Sequence, residues 1–333
     1  MKRIAQAVFA AAIALVVCGV AQGFNSLGHS VIAKIAYDKL TPAQRTTIHN
    51  ILKKHPHYTE YLIADKPDDV TRREWSFIRA ATWSDWVRSH HREDYHKSEW
   101  HYINYPYTMG QATDTLPAAL PQSHSIRDRI PAAITMIENS ATTNDLGLLT
   151  ELTNDQRRAV AMTWLFHLTG DYQQPLHVVA MVQEPRWPAA GHGDQGGNKV
   201  AIRTSATASK PKKLHSYWDG VLGSNDDYEE ITDVADEITT DPSLSATELA
   251  ALASETDLDA WALEGYKLAG KYCYLDGTLV LSPWLESYDE GGDAADDVPT
   301  LPSAVKNNAK RIYRQQLLVG GERLAHRLKL LFP

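Results

Sequence analysis

Two histidine and aspartate pairs with the same spacing are the strongest chemical signal in the sequence. His167 is followed four positions later by Asp171, and His215 by Asp219. Residues four apart on a helix project from one face, and His167 and Asp171 share theirs with apolar residues. A single histidine on such a face is usually a satisfied core residue. A repeated pair predicts metal ligands, because a buried carboxylate is costly unless a cation compensates it.

Three further residues of the ligand type stand where burial is expected. Asp85 lies one step along the apolar stripe of a predicted helix, so its carboxylate should point inward. His101 opens a short apolar stretch, and His177 follows Pro175, which should end the helix of Asp171 and turn the chain back. The set offers nitrogen and oxygen ligands and no thiolate. It therefore suits zinc, and not a cysteine-based structural site.

The amino terminus has the pattern of a secretory signal peptide over residues 1–23. Two basic residues precede an apolar run, and Ala21-Gln22-Gly23 places small residues where a signal peptidase cleaves. A membrane anchor is an alternative, but the apolar segment is short for a span. A lipoprotein cut at Cys18 is a weaker one, because a valine precedes that cysteine. The pattern predicts export and cleavage before Phe24.

Cleavage before Phe24 would also create a metal ligand. The new α-amine and the carbonyl oxygen of Phe24 could chelate one metal in a five-membered ring, while His29 reaches it from the first helical turn. His29 could equally be a polar residue near a helix start. The spacing alone leaves both interpretations open.

The composition excludes diffuse attraction to nucleic acid. The chain has 33 basic and 41 acidic side chains and a net charge of -8, which becomes about -10 if Lys2 and Arg3 leave with the signal. Any phosphate substrate must therefore meet a local cation. Cys18 would also leave, so Cys273 would stand alone and no internal disulfide is expected. Residues 24–333 are predicted to form one domain.

The apolar spacing predicts a mainly α fold: a single compact multi-helix domain with long loops and at most a short β-hairpin near 199–203. Three capping residues should begin helices, namely Thr41, Thr71 and Thr153. The stripe of the Thr71 helix is the one that includes Asp85. Further helices are predicted near 126–139, 213–222, 246–274 and 303–331. The acidic connection 284–302 predicts a solvated loop and not a calcium site.

Seven segments of the chain resemble, in order and spacing, the S1/P1 nuclease family of zinc-dependent single-strand nucleases and 3′-nucleotidases. They are FNSLGHSVIAKIA, ATWSDWVR, WHYINYP, FHLTGDYQQPLHV, GDQGGNKV, LHSYWDGVL and GGERLAHRL. The run FHLTGDYQQPLH is specific, and its conjunction with the downstream His/Asp pair is more so. The resemblance covers nearly all of residues 24–333.

The resemblance implies a cluster of three zinc ions. The first would be bound by Asp85, His101, His167 and Asp171. The second would be bound by the amine and carbonyl of Phe24, by His29 and by the shared Asp171. The third would be bound by His177, His215 and Asp219.

The resemblance also implies the reaction. A hydroxide that bridges two zinc ions would attack phosphorus, yielding 5′-nucleotides from single-stranded DNA and RNA, with 3′-nucleotidase activity as well. Asp85 and Asp171 would hold the catalytic metals, and Arg88 would contact the phosphate. Single strands are favoured because a base must leave its stack to reach buried metals. The implied substrate-binding residues are Tyr102, Asn104, Gly196, Gly197 and Asn198.

Some positions depart from the family pattern. Phe24 stands where the best-known members have tryptophan, which should spare chelation by backbone atoms. Asn104 stands where fungal members have aspartate, and no lysine follows it closely, so the positioning of the scissile phosphate is in question. Asp194 is expected to orient a ligand histidine. Missing fungal disulfides and glycosylation acceptors favour a bacterial-type secreted or periplasmic monomer without a membrane anchor after processing.

Two rival functions stay open at this point. A zinc-dependent phospholipase C of the same superfamily would use similar ligands on a lipid head group. A non-catalytic zinc-binding protein would have closed sites, whereas catalysis needs an open coordination position. Tyr102 and the Gly-Gly-Asn loop favour nucleotides over lipids.

Overall fold

The computed structural model describes residues 24–244 and 246–333, without the side chains of residues 245–249. The predicted signal peptide, residues 1–23, lies outside the described residues. The α-helices are α1 Ser26–Asp38, α2 Pro42–Leu52, α3 Arg72–Ala80, α4 Trp83–His90, α5 Arg92–Tyr95, α6 Ile126–Glu138, α7 Asn154–Asp171, α8 Leu214–Asp219, α9 Tyr228–Thr240, α10 Ala246–Ser254, α11 Leu258–Leu268, α12 Glu286–Asp289 and α13 Ser303–Leu331. The prediction of a mainly α fold is confirmed.

The predicted helix starts are confirmed at atomic detail. Thr41 and Thr153 each accept a hydrogen bond from the backbone N–H three residues on, and the glutamine there bonds back to the cap. Thr71 accepts from the backbone N–H of Glu74 at 3.2 Å. These bonds satisfy N–H groups that a helix leaves without partners at its start.

The predicted helix from Thr71 to Asp85 is wrong in one respect, because it is two helices. α3 ends at Ala80 and α4 begins at Trp83. Between them the Thr82 hydroxyl bonds to the Arg79 carbonyl at 3.1 Å and to the Tyr61 hydroxyl at 2.7 Å. Such side-chain bonds compete with continuation of a helix. The break turns the backbone toward α7, where the first part of the site lies.

The helix predicted over 246–274 is also interrupted. α10 ends at Ser254, and Asp257 caps α11 by accepting from the backbone N–H of Asp259 at 3.0 Å. The helix predicted over 213–222 is shorter than expected, since α8 ends at Asp219.

The strands form two small sheets. β1 (Tyr105–Tyr107) pairs in parallel with β2 (Val179–Met181). β3 (Val200–Ile202) lies between β4 (Lys212–Lys213) and β5 (Ser282–Pro283), antiparallel to both. The predicted hairpin is therefore part of a three-stranded sheet, whose third strand comes from a distant segment. β2 follows His177 and β4 precedes α8, so the sheets hold the segments that carry the second half of the site.

The main apolar core surrounds α7. All residues of α7 from Ala159 to Asp171 are buried. α1 and α13 pack closely at Gly321. A Cβ at this position would lie 2.5 Å from the side chain of Ile35, so a larger residue would not fit without a shift. Among the described helices, none combines the length and hydrophobicity required to cross a membrane.

Candidate metal centre

Three of the predicted ligand histidines form the same kind of hydrogen bond. The Nδ1 atoms of His167, His177 and His215 each donate to a backbone carbonyl, which can only accept. In a neutral ring whose proton is on Nδ1, Nε2 is the nitrogen that can accept a hydrogen bond or bind a metal. A hydrogen bond of this kind is how proteins orient metal-bound histidines. The acceptors are the carbonyls of Ala81, His101 and Gly196, at 2.8, 2.6 and 2.6 Å.

Asp171 is the centre of the arrangement. It is the last residue of α7 and is fully buried. Its Oδ2 lies 2.9 Å from His101 Nδ1 and 3.1 Å from His167 Nε2, and its Oδ1 lies 3.2 Å from His29 Nε2. Burial acts to raise the pKa of Asp171, but His167 and the other histidines hold it well below its ordinary value. The carboxylate is therefore ionised in the interior.

The first group comprises Asp85, His101 and His167, with Asp171 beside them. One ligand atom from each of the first three lies within 4.8 Å of the others. Asp85 Oδ1 is 3.8 Å from His167 Nε2, which is 3.0 Å from His101 Nδ1. Burial acts to lower the pKa of His167, but Asp171 and Asp85 raise it to about 9. The carboxylates thus attract a positive charge to the place where a metal would bind.

The second group comprises His29, His167 and Asp171. The ring of His29 stacks on that of His167 with centroids 4.0 Å apart. Neither nitrogen of His29 has a hydrogen-bond partner, and neither does Asp171 Oδ1, although all three atoms are buried. The 3.2 Å contact between His29 and Asp171 is thus close but not aligned as a hydrogen bond. Buried polar atoms arranged in this way suit the binding of a cation.

Gly170 and Phe24 are the neighbours that pack against the second group. A Cβ at Gly170 would lie 2.6 Å from His29 Nδ1, so only glycine lets α1 and α7 approach this closely. Phe24 is buried beside the group, with its ring 6.4 Å from that of His29 and edge-on to Tyr313 at 4.8 Å. The residue predicted to become the new amino terminus therefore lies next to the histidine predicted to share its metal.

The third group comprises His177, His215 and Asp219. The two Nε2 atoms are 3.2 Å apart, and Asp219 Oδ1 lies 3.5 Å from His215 Nε2. Both Nδ1 atoms donate to backbone carbonyls, so each ring turns its Nε2 toward the other. A cation between the two Nε2 atoms would contact both. Burial raises the pKa of Asp219 well above its ordinary value, and the nearby Asp171 raises it further. A bound metal would reverse that shift.

Sequence reasoning missed the residues that hold Asp219. Gln174 Nε2 donates to Asp219 Oδ1 at 2.7 Å, and its Oε1 accepts from the backbone N–H of Leu176 at 2.6 Å. The Tyr313 hydroxyl and the backbone N–H of Asn25 donate to the Asp219 carbonyl at 2.9 and 3.0 Å. Gln174 lies in the specific run FHLTGDYQQPLH, which was a usable signal. Tyr313 on α13 gave none.

A fourth group was also missed, and it fits a metal poorly. His57, Glu60 and His91 bring one ligand-type atom each within 4.8 Å of the others. The indole N–H of Trp83 donates to His57 Nδ1 at 3.0 Å, so the neutral ring carries its proton on Nε2. Burial and the nearby His91 lower the pKa of His57 to about 4. The donor bond thus consumes the lone pair that a metal requires.

A cavity of about 700 Å³ opens beside the third group. Asp219 and Asn25 contribute to its wall, and Arg88 extends from α4 into the same wall. Burial lowers the pKa of the half-buried Arg88 and Asp85 raises it. The cavity volume is within the range of small-molecule sites, about 300–1,000 Å³.

The residues predicted to bind substrate lie outside that cavity lining. Asn104 is buried, and its backbone N–H donates to Gln122 Oε1 at 3.3 Å. Tyr102 is partly buried, and its carbonyl accepts from Gln122 Nε2 at 3.1 Å. Asn198 Nδ2 donates to the Gln195 carbonyl at 2.9 Å. None of these three residues is among those that line the cavity with Arg88.

The predicted Gly196-Gly197 loop has a structural task. Both glycines have positive φ values, and a Cβ at Gly196 would lie 2.2 Å from the Leu176 carbonyl. The Gly197 carbonyl accepts from the backbone N–H of His215 at 3.3 Å. Only glycine allows this approach, which aligns the Gly196 carbonyl with the His215 ring.

Asp194 supports the loop that contains Gly196 and Gly197. The buried carboxylate accepts from the backbone N–H of Met181 at 2.8 Å and from the Tyr274 hydroxyl at 2.7 Å. Backbone N–H groups of Gly196 and Gly197 also bond to the carboxylate, so Asp194 holds the loop whose Gly196 carbonyl accepts from His215 Nδ1. The expectation that Asp194 orients a ligand histidine stays a prediction. Burial raises the pKa of Asp194 to about 6, although Tyr274 acts to lower it.

Asp194→Asn should lower the free energy of unfolding by about 2 kcal/mol, because an amide oxygen cannot accept both donors and one buried group loses its partner. The folded state also binds the Asp194 proton more tightly than the unfolded chain, so the wild type should lose stability as the pH rises from about 4 to about 6. The variant should lack that dependence. Urea unfolding at several pH values measures both effects.

The control for this variant is Asp297→Asn, because Asp297 is exposed. Equal unfolding curves for the two variants would contradict the assigned role of Asp194.

The fold and the site together define a mainly α-helical protein with three adjoining histidine and aspartate groups that suit metal ions. The sequence model described as S1/P1 Nuclease matches residues 24–333. The chain belongs to the S1/P1 nuclease family, and its activity class is that of a nuclease that hydrolyses phosphoric esters. No curated protein matches the chain significantly.

Proposed function

We propose that the protein is a zinc-dependent phosphodiesterase with three zinc ions per chain. It cleaves single-stranded DNA and RNA to 5′-nucleotides and removes the phosphate of 3′-nucleotides. The observation that carries the proposal is the arrangement of three groups of ligand-type atoms around Asp171. In these groups His167, His177 and His215 each donate from Nδ1 to a backbone carbonyl, which is the ring orientation that suits metal binding at Nε2. Nitrogen and carboxylate donors of this kind suit zinc.

The metal ions, when bound, supply positive charge that lowers the pKa of water and neutralises a phosphoryl group. The chain's own residues set the geometry. Asp171 joins the first two groups, and Asp85 completes the first. Arg88 reaches the cavity from the same helix as Asp85 and can donate to phosphoryl oxygens. Asp219 shares that cavity, so a phosphoryl group there would meet the third group and Arg88 together.

The predicted amino terminus belongs to this proposal. Phe24 would supply its amine and carbonyl to the second group once residues 1–23 are removed. Its buried position beside His29 supports that role. The processed protein would be secreted or periplasmic and monomeric.

Base recognition by Tyr102, Gly197 and Asn198 stays a prediction, as does the role of Asn104. Tyr102 follows His101 directly, and Gly197 and Asn198 lie in the loop that orients His215. The positions thus border the first and third groups. Substrate binding to variants at these positions would test the assignment.

One experiment on the processed protein tests the function. We expect about three zinc ions per chain by elemental analysis, 5′-mononucleotides from single-stranded DNA and RNA, and no phosphorylcholine from lecithin. Chelation should abolish turnover and lower the melting temperature by at least about 5 °C, because buried carboxylates lose their cations. Added zinc should restore both.

Other outcomes would favour the rival functions. Activity on lecithin alone would indicate a phospholipase C. Three bound zinc ions without phosphodiesterase or 3′-nucleotidase activity would indicate a non-catalytic zinc-binding protein. The open cavity beside Asp219 argues against closed sites of that second kind.

A further inference from the structure

Three cationic side chains border the cavity without a carboxylate partner. Arg88, Arg92 and Lys212 line it, and within the described residues none of them has a carboxylate oxygen within 4.0 Å. The chain has 41 acidic and 33 basic side chains, so unpaired cations at one cavity run against its overall balance. Such an arrangement suits an anionic ligand.

Lys212 and its neighbour Lys213 have different surroundings. The two residues form β4, and successive strand side chains point to opposite faces. Lys213 lies 3.6 Å from Asp289 and over the ring of Trp284 at 4.8 Å. Lys212 instead lines the cavity. Lys213 therefore has an acidic partner, whereas Lys212 faces the cavity.

Arg92 is placed four residues after Arg88, at the start of α5. Arg92 adds to the effect of burial in lowering the pKa of Arg88, so the two guanidinium groups repel each other. Asp85, which raises that pKa, does not form an ion pair with Arg88 within 4.0 Å in the described chain. Like charges held together cost free energy unless an anion binds between or beside them.

Arg92 and Lys212 are next in the chain to helices that carry residues of the first and third groups. Arg92 follows α4, which contains Asp85 of the first group, and Lys212 precedes α8, which contains His215 and Asp219 of the third group. The two cations therefore enter the cavity from segments that lead to different groups. A ligand that reached both would lie in the cavity that Asp219 of the third group and Arg88 also line.

We propose that Arg92 and Lys212 bind backbone phosphates of a single strand on either side of the phosphodiester at the metal groups. The cavity would then select oligonucleotides over mononucleotides, because only a strand carries phosphates beyond the reacting one. The inference rests on the proposed function and names the substrate that its site prefers. Arg88 contacts the reacting phosphate, whereas Arg92 and Lys212 determine specificity.

The test compares Arg92→Gln and Lys212→Gln with the control Lys213→Gln. For a single-stranded ten-nucleotide DNA, each variant should raise KM about fivefold, the effect of one partly exposed charge contact. For a 3′-mononucleotide, the increase in KM should be at least threefold smaller. Binding of a fluorescent phosphorothioate strand should lose about 0.7 from its slope against log salt for each lost phosphate contact. K213Q should match the wild type.

The outcomes separate this inference from the proposed function. If the wild type cleaves single strands but K212Q and R92Q keep its salt slope and its KM on the ten-nucleotide DNA, the inference is wrong and the function stands. If the wild type binds the phosphorothioate strand with the expected slopes but cleaves nothing, the function is wrong and the phosphate contacts stand. Equal increases in KM on the ten-nucleotide DNA and on the 3′-mononucleotide would disprove the proposed selectivity for oligonucleotides.

Discussion

Asp171→Asn should remove two of the three proposed zinc ions and lower turnover of single-stranded DNA by roughly a thousandfold. The carboxylate places one oxygen near His29 and the other near His101 and His167. An amide has nearly the same shape but cannot bridge two cations, and its NH₂ group would face a histidine nitrogen. The expected loss is large because one side chain serves two groups.

Elemental analysis and turnover on the processed variant measure this prediction. Asp155→Asn is the matched control, since Asp155 lies on the same helix and is mostly exposed. Circular dichroism shows whether the variant folds. If it does not, His29→Gln provides a second route, because it should remove only the second ion. A folded D171N protein that keeps three zinc ions would disprove the shared role of Asp171.

Keeping a peptide extension before Phe24 should cost one zinc ion and about a hundredfold in turnover. A peptide nitrogen has no lone pair to offer a metal, whereas a free amine does. The surroundings of Phe24 hold it in place: the Asn25 N–H donates to the Asp219 carbonyl at 3.0 Å, and Asn25 Oδ1 accepts from the Gly28 N–H at 3.1 Å. The extension therefore changes the ligand without freeing the segment.

Comparison of the processed chain with one extended by Gly-Ser before Phe24 measures this effect. An identical extension after Pro333, which is exposed, is the control. Mass spectrometry establishes each terminus, and elemental analysis counts the zinc. Normal zinc content and turnover in the amino-extended chain would exclude Phe24 as a ligand while leaving the first and third groups intact.

Much of the fold followed from local rules. Thr41 and Thr153 predicted helix starts because a capping box needs only residues three apart. Breaks within helices were harder to predict. The end of α3 depends on the contact of the Thr82 hydroxyl with Tyr61, which is 21 positions away in the chain. The boundary between α10 and α11 also escaped prediction, because helical spacing continued across it.

The candidate site likewise combines features that local rules predicted with features that they did not. The spacing of His167 and Asp171, and of His215 and Asp219, indicated metal ligands because helix geometry places residues four apart on one face. The family resemblance then assigned the other members to groups. Neither could indicate that Gln174 and Tyr313 hold Asp219, since those contacts join separate segments.

The sequence by itself therefore determined the ligand types, their pairing along helices and the charge balance that requires a local cation for phosphate. Only the tertiary structure decided whether Nδ1 of each buried histidine donates or accepts a hydrogen bond. His167 and His57 are both buried histidines, but a carbonyl accepts from Nδ1 of the first and an indole donates to Nδ1 of the second. That difference suits His167 to metal binding at Nε2 and makes His57 a hydrogen-bonded core residue. It arises from partners 86 and 26 positions away, which no local pattern encodes.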